Sequence, residues 1–499
     1  MEQTLQNFKD YLKKIQKYNQ AAILFTWDMQ TASPKKSIEN KIDSIGFFST
    51  EVFRLTTAPE YGALLEELSL PENFEKLDPG MKLTVKRYLK DYRQAKRVPE
   101  DFYTELVTEQ ARSEQAWEEA KEANDFSIFA PHLDKVIRMM KEYVHYMDPD
   151  KDVYEFLLDM FEEDMDSQTI DNLFDELKEG LIPLIAKINA APKPDLSALD
   201  KTFSIEDQKK VQDYLLHYIG FNFDKGNTSE SMHPFTETLC PNDIRVTNHY
   251  DEHMPISSMF SAIHEGGHAI FEQNIADELQ GTAGAEVNMM GLHESQSRFF
   301  ENILGRNKNF WLPIYKDIQE LLPPLKEVSL DTFMAAVNDV HPSFIRTEAD
   351  EVTYCMHIIL RYEMEKAIFR DHVPTDELPA LWNKKMEELL GITPACDAEG
   401  ILQDMHWSDG SFGYFPSYLL GSIYDGMYLE QVEKEFHGLD QLLADGKIKD
   451  VTKWLNENIH QYGSLYTSKE VIRRVCGSEI SARPLLRYFN KKYSEIYNF

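Results

Sequence analysis

Apolar residues recur at helical spacing along most of the chain. The clearest stripes lie at 8–15, 211–219 and 355–362, where apolar side chains follow one another in steps of three or four residues. Gly220 is expected to end the second of these helices. Each stripe predicts a helix that packs one face against a core.

Only short segments interrupt this helical pattern. They are rich in Pro or Gly and lie at 191–200, 321–327 and 409–418, which we expect to be a linker, a turn and an aromatic loop. The chain is therefore predicted to be mainly α. We expect a single domain over 1–499, a large helical body whose two lobes, at about 1–195 and 196–499, flank a cleft.

One stretch has a different pattern. In 243–250, Ile244 and Val246 alternate with polar residues, and the β-branched bias predicts a short strand and hence a small β-sheet. Two interpretations stay open. The strand offers a free edge to an extended peptide beside the site discussed next, or it belongs to a small structural hairpin.

The segment that follows has the form His-Glu-x-x-His, at 264–268. On a helix, His264 and His268 share a face and can bind one metal ion, while Glu265 can reach a water on that ion. Ser257 or Ser258 after Pro255 is the expected N-cap of this helix. The two glycines inside the motif are costly in a helix interior, so we expect a substrate or a strand to approach there.

A third ligand must come from elsewhere, with one position left open for water. Glu294 lies in a later predicted helix and is a candidate. Glu286 and Glu301 compete with it on spacing alone.

Composition narrows the function classes. The net charge of −33 disfavours nucleic acid and anionic membranes as partners, and no apolar run approaches the length of a membrane span. The four cysteines show no paired spacing, which favours a reducing compartment. Because the first residues are polar and lack the apolar run of a signal peptide, we expect a soluble cytoplasmic protein.

Six short motifs in order resemble the carboxypeptidase Taq family of zinc metallocarboxypeptidases. They are His233-Pro234-Phe235, Asp243 to Thr247, His264 to His268, His293 to Gln296, Ile345 to Asp350 and Gly400 to Trp407. The resemblance implies a helical protein with its metal at the bottom of a long groove, usually a homodimer. It also implies that Glu294 is the third ligand.

A carboxypeptidase must bind a terminal carboxylate, which the planar fork of an arginine does well. Arg346 is the first candidate and Arg245 the second. Arg346 alternatively forms an ordinary ion pair. Thr347 and Asp350 have the spacing of a capping box, so Asp350 is expected to be structural.

The oxyanion of the tetrahedral intermediate also needs a donor. His406 and Tyr414 are candidates, and the resemblance implies that His406 borders the active site. Related zinc peptidases often carry an Asp four residues after the ligand Glu to orient a ligand His. Arg298 stands at that position here, so the orienting partner must lie elsewhere.

The sequence thus predicts a metallocarboxypeptidase that uses one Zn²⁺ per chain, or Co²⁺ in its place, with Glu265 as general base. Its substrates are peptides with a free C-terminus. An endo-acting zinc oligopeptidase with the same metal site is the alternative. A non-enzymatic helical protein with a structural metal is disfavoured, because structural zinc sites are rich in cysteine.

Overall fold

A computed structural model describes residues 1–499. Ten helices precede a small sheet. They are α1 Glu2–Thr31, α2 Ile38–Thr57, α3 Pro59–Ser69, α4 Pro71–Phe74, α5 Pro79–Ala95, α6 Glu100–Ala123, α7 Phe126–Met147, α8 Val153–Phe161, α9 Ser167–Ala190 and α10 Ile205–Ile219.

The sheet and twelve further helices complete the chain. The strands are β1 Gly226–Glu230, β2 Thr236–Cys240 and β3 Asp243–Asn248. The helices are α11 Pro255–Gln273, α12 Met290–Arg298, α13 Lys308–Trp311, α14 Tyr315–Leu321, α15 Leu330–Val337, α16 Thr353–Phe369, α17 Leu378–Leu390, α18 Phe415–Phe436, α19 Leu439–Ala444, α20 Ile448–Asn458, α21 Ser468–Cys476 and α22 Arg483–Tyr497. The prediction of a mainly α fold with a small sheet is confirmed.

Each of the three apolar stripes lies in a helix, namely α1, α10 and α16. Local signals set several boundaries. Ser204 accepts a hydrogen bond from the Asp207 amide at the start of α10, and Gly220 ends that helix in a left-handed conformation (φ +106°). The helical periodicity and the end of α10 are therefore predicted correctly.

Two predicted boundaries are wrong for the same reason. α11 begins at Pro255, so neither Ser257 nor Ser258 is its N-cap. The expected loop at 409–418 ends early, because α18 begins at Phe415 with Pro416 in its first turn. Proline is well suited to the first turn of a helix, where its missing N–H would be unpaired in any case.

The sheet has the order β1-β3-β2, with β1 parallel and β2 antiparallel to β3. The predicted strand is confirmed as β3. Its interpretation as a free edge is wrong, because β3 is paired on both sides. The edge strand next to α11 is β2, since the Thr236 hydroxyl reaches Glu265. Asn248 at the end of β3 also donates to the Ser258 carbonyl of α11.

Buried apolar residues form a main core of 95 residues, from Leu106 to Tyr497, and a smaller cluster of 11 residues between Phe8 and Tyr92. The main core extends across the proposed lobe boundary near 195. The division into two lobes near 195 stays a prediction. None of the helices combines the length and apolarity that a membrane span requires.

Candidate active site

The site is built on α11, which carries His264, Glu265 and His268. The interior of this helix is almost entirely buried. A buried helix fixes its side chains more firmly than a loop does, which suits residues that must converge on one point.

The two glycines of the motif allow neighbouring helices to come close. A Cβ on Gly267 would lie 2.7 Å from the Gln296 carbonyl oxygen and from the Ser297 Cα of α12. A Cβ on Gly266 would lie 2.7 Å from Ile219 of α10. The expectation of a substrate or a strand at these glycines is therefore wrong, because helices occupy both positions.

Close packing of α12 brings Glu294 to the histidines. Its Oε2 lies 3.8 Å from His264 Nε2 and 3.4 Å from His268 Nε2. Ligand atoms of the three residues all lie within 4.8 Å of one another. Two imidazole nitrogens and one carboxylate oxygen match the donor set of catalytic zinc sites, so these residues fit a divalent metal ion.

The start of α12 is itself fixed. The buried carboxylate of Glu162 accepts the Gly291 N–H at 2.8 Å and the Tyr424 hydroxyl at 3.1 Å. Such a contact satisfies an amide that has no partner within the helix. This contact fixes α12 at Gly291, about one helical turn before Glu294.

The partner that orients His264 is Glu301, whose Oε2 lies 2.7 Å from Nδ1. A π-helical segment, Phe299–Gly305, follows α12 and presents this carboxylate seven residues after Glu294. Because Nδ1 donates to Glu301, Nε2 is free to bind a metal. Among the three predicted third-ligand candidates, Glu294 faces the histidines, whereas Glu286 bonds the Tyr88 hydroxyl.

Arg298 stands where related peptidases often have an Asp, and it binds the carboxylate of Glu294. Its Nε donates to Glu294 Oε1 at 2.7 Å, which leaves Oε2 directed at the imidazoles. The guanidinium also lies over the ring of Tyr354 at 4.0 Å. Arg298 thereby fixes which oxygen of Glu294 faces the histidines.

The two histidines have opposite electrostatic environments. Burial disfavours protonation of His264, but the carboxylates of Glu294 and Glu301 outweigh it and raise its pKa to about 9. Burial and the neighbouring His293 lower the pKa of His268 to about 3. The acidic groups around His264 favour a cation in this region.

Glu265 is almost fully buried beside this site. The Thr236 hydroxyl donates to its Oε2 at 2.7 Å and lies 3.0 Å from its carbonyl oxygen. Burial raises the pKa of Glu265 above its usual value, although His264 and Thr236 oppose the shift. A raised carboxylate pKa suits a group that takes a proton near neutral pH.

A cleft of about 610 Å³ opens onto the site. His264 and Glu265 line it, and so does Arg346. Leu199, Phe260 and other apolar side chains form part of its wall. Glu265, His264 and Arg346 therefore share one cavity.

Arg346 is buried and already paired on one side. Its Nε and Nη2 lie 2.9 and 2.8 Å from Asp404 Oδ1, and Nη1 donates to the Tyr354 hydroxyl at 3.3 Å. Because a guanidinium has five N–H groups, donors remain for a substrate. Arg245 makes a two-pronged contact with Asp243 and is absent from the lining of the cleft.

His406 and Tyr414 lie together in an aromatic cluster. Their rings stack with centroids 5.5 Å apart, and His406 Nε2 lies 3.2 Å from the Tyr418 hydroxyl. Burial lowers the pKa of His406 to about 4, so the imidazole is neutral at pH 7. Its Nδ1 is buried without a partner. Arg346 lies over the Tyr418 ring at 5.1 Å and links this cluster to the cleft.

Asp350 has a structural role, although the predicted capping box is not formed. Its Oδ1 accepts the amides of Val352 and Thr353, just before α16 begins at Thr353. Thr347 lies in a separate short 3₁₀ turn. The cap therefore starts three residues later than predicted.

Sequence reasoning missed Thr236, Tyr354, Asp404 and Tyr418 as parts of the site. Asp404 and Thr236 contact predicted residues from distant positions, since Asp404 lies 58 residues from Arg346 and Thr236 lies 29 residues from Glu265. Tyr354 and Tyr418 are closer, at 8 residues from Arg346 and 12 residues from His406. Asp404 stands inside the motif 400–407 and Thr236 directly follows the motif 233–235, so both could have been considered.

Comparisons with known proteins agree with this geometry. Residues 7–493 match the family model described as carboxypeptidase Taq (M32) metallopeptidase. Carboxypeptidase 1 of Bacillus subtilis is 44% identical over 98% of both chains, and thermostable carboxypeptidase 1 of Thermus thermophilus is 33% identical over 99% of both. The crystal structure of an M32 carboxypeptidase from Deinococcus radiodurans R1 is 29% identical, with a TM-score of 0.96 over the whole of both chains.

Proposed function

The chain belongs to the carboxypeptidase Taq (M32) family of metallopeptidases, and from this premise we propose how its residues carry out metal-dependent removal of C-terminal residues from peptides. The observation that carries the proposal is the convergence of His264, His268 and Glu294 beside the buried carboxylate of Glu265. The three residues are the proposed metal ligands, and Glu265 is the proposed general base.

A divalent ion held by these residues would supply a water of lowered pKa and would polarise the scissile carbonyl. Glu265 takes a proton from the attacking water and passes it to the leaving amine. Its burial beside the cleft supports this role, because a carboxylate shielded from solvent is a stronger base. Arg298 and Glu301 keep the ligand side chains oriented meanwhile.

We propose Zn²⁺ as the ion, one per chain, with Co²⁺ as a competent substitute. Two imidazoles and one carboxylate, with no thiolate, are typical of catalytic zinc sites. The carboxylate of Glu301 on His264 is the kind of partner that ligand histidines have in such sites.

Arg346 is the proposed anchor for the terminal carboxylate of the substrate. Its position in the lining of the cleft and its remaining N–H groups support this role. Arg245 is kept as the second candidate, although its contact with Asp243 leaves it less available. Tyr414 is a further proposed substrate-binding residue. Its ring packs against Tyr418, over which Arg346 lies.

His406 is the proposed donor to the oxyanion. A neutral imidazole can donate a hydrogen bond without bringing a charge into the site, and the lowered pKa of His406 supports this role. Its Nε2 lies 3.2 Å from the Tyr418 hydroxyl, which links it to the ring that Arg346 overlies.

Three broader features complete the proposal. We propose a single peptidase domain and a homodimer, the latter on the resemblance to the family. A cytoplasmic location is supported by four free cysteines. Internal cleavage by an endo-acting enzyme is not favoured, because the relatives named above are carboxypeptidases.

Glu265→Gln tests the role of the base. The variant should bind zinc as the native enzyme does, because Glu265 is not a proposed ligand, while kcat falls at least about 100-fold. Metal content and single-turnover rates on a free-acid peptide are the measurements. Near-normal turnover by a zinc-loaded variant would remove Glu265 from the mechanism.

A further inference from the structure

Two of the sequence motifs, 233–235 and 243–247, supply none of the proposed metal ligands. The second lies on β3, and the first immediately precedes Thr236, the first residue of β2, which joins them to the site. Its hydroxyl donates to Glu265 Oε2 at 2.7 Å. No other side chain makes a hydrogen bond to the Glu265 carboxylate, so this contact is what fixes its direction.

We propose that Thr236 is a positioning residue for the reaction, which holds the Glu265 carboxylate in the orientation needed to take the proton of the attacking water. This inference rests on the proposed role of Glu265. Thr236 would act through that carboxylate and make no contact with a ligand of the metal.

The position of Thr236 is fixed by Thr247 of β3. The fully buried Thr247 hydroxyl accepts the Phe235 amide at 2.8 Å, and the Thr247 amide donates to the Phe235 carbonyl at 2.8 Å. Ser231 donates to the same hydroxyl at 2.7 Å. The residue just before Thr236 is therefore held on both its amide and its carbonyl.

Residues of the two motifs therefore act together to position Thr236. The segment 231–236 is anchored to β3, and the anchored end presents one hydroxyl to α11. Misplacement of a reacting group by about 1 Å can cost about 100-fold in rate. The anchoring of 231–236 to β3 therefore also fixes the position of the one hydroxyl that contacts the Glu265 carboxylate.

The key comparison is Thr236→Val with Thr236→Ser. Valine keeps the shape of threonine and removes the hydroxyl, whereas serine keeps the hydroxyl and removes the methyl group. For Thr236→Val we expect kcat to fall roughly ten- to hundredfold while KM stays within about twofold. Thr236→Ser should recover most of kcat.

Thr228→Val is the matched control. Thr228 lies on the opposite edge strand, β1, and pairs with Val246, the same residue that Thr236 faces from β2. This variant removes a hydroxyl from the same row of the same sheet. It should leave kcat and KM unchanged.

Zinc affinity, measured by competition with a chromogenic chelator, is a readout that does not depend on turnover. It should be the same in native enzyme and in Thr236→Val. A fall in zinc affinity would overturn the inference, because Thr236 would then act on the metal site and not on Glu265. Thr236→Ala, which introduces no new atoms, repeats every measurement if the valine variant does not fold.

A double-mutant cycle separates positioning from a general structural effect. In the Glu265→Gln background, Thr236→Val should have little further effect on the single-turnover rate, because the group it positions is already lost. Independent, multiplicative losses would overturn the inference, and so would native kcat in Thr236→Val or failure of serine to restore it. The role of Glu265 is tested by Glu265→Gln alone. The Thr236 variants therefore test the positioning role separately from the proposed base.

Discussion

At the scale of single residues, the carboxylate of Glu294 is held on both of its oxygens. Arg298 binds Oε1 at 2.7 Å, and Oε2 faces the two histidines. The buried guanidinium holds the pKa of Glu294 well below its usual range, against the effect of burial. Glu294 is therefore ionised at neutral pH.

Glu301→Gln tests how far the orientation of His264 matters. We expect zinc affinity to fall roughly ten- to hundredfold, because an amide accepts the Nδ1 proton less strongly than a carboxylate does. Equilibrium competition with a chelator measures this. Glu286→Gln is the control, since that carboxylate bonds Tyr88. Equal zinc affinity in the two variants would mean that Glu301 does not orient the ligand.

Arg346→Ala tests the anchor for the terminal carboxylate. KM for free-acid peptides should rise roughly ten- to hundredfold, because a charge-assisted hydrogen bond is lost, while kcat changes less. Asp404 keeps Arg361 as a partner at 2.6 Å, so the fold should survive. Steady-state kinetics on one peptide series measure the effect.

Arg245→Ala is the comparison variant for that experiment. If Arg346 is the anchor, loss of Arg245 should leave KM within about twofold of native, since Arg245 pairs with Asp243 outside the lining of the cleft. The reverse pattern, with a high KM only in the Arg245 variant, would transfer the role to Arg245.

Residues that sequence alone could identify are those whose geometry is local. His264 and His268 are one helical turn apart, so their convergence follows from helix periodicity. Thr236 lies 29 residues from Glu265 and 11 residues from Thr247, and only the folded sheet brings the three together. Spacing alone left Glu286 and Glu301 as competitors of Glu294, and it is the packing of α12 that brings Glu294 next to the two histidines.

At the scale of elements, the site depends on how closely α11 and α12 approach each other. The contact passes through Gly267, where any side chain would meet the backbone of Gln296 and Ser297. Backbone atoms cannot rotate away as a flexible side chain can. A glycine here therefore sets the distance between the histidines and Glu294.

Gly267→Ala should separate the two helices. We expect a lower Tm and weaker zinc binding, because a methyl group 2.7 Å from backbone atoms forces α12 outward and moves Glu294. Thermal unfolding with and without zinc measures both effects.

Gly46→Ala is the matched control for that substitution. Gly46 lies inside α2, and a Cβ there has no atom within 4 Å. Alanine should stabilise the protein by up to about 1 kcal/mol, from its higher helix propensity, and leave zinc binding unchanged. A Gly267 variant that behaves like this control would show that close packing is not needed.

Element types were predictable where periodicity is strong, and boundaries were less so. The β3 pattern identified a strand, but alternation cannot tell a central strand from an edge strand, because pairing is decided by segments elsewhere in the chain. Pro255 and Pro416 moved two helix starts away from the expected positions. The glycines of the motif signalled a close approach correctly, but not which element approaches.

At the scale of the whole molecule, a helical body of 499 residues encloses one cleft that reaches the metal-binding residues. The acidic surface implied by a net charge of −33 repels acidic peptides at a distance. Arg298, Arg306 and Arg346 line the cleft, but Glu301 lies 3.9 Å from Arg298 and 3.8 Å from Arg306. Of the three, Arg346 is the one proposed to bind a peptide carboxylate.

Cleavage of one N-blocked peptide, prepared as the free acid and as the C-terminal amide, tests the central claim most directly. Each form is incubated with zinc-loaded enzyme, with and without a chelator, and the products are weighed by mass spectrometry. Stepwise loss of single residues from the free acid alone, abolished by the chelator, is the predicted result. Internal cuts in both forms, or cleavage that the chelator does not affect, would contradict the account.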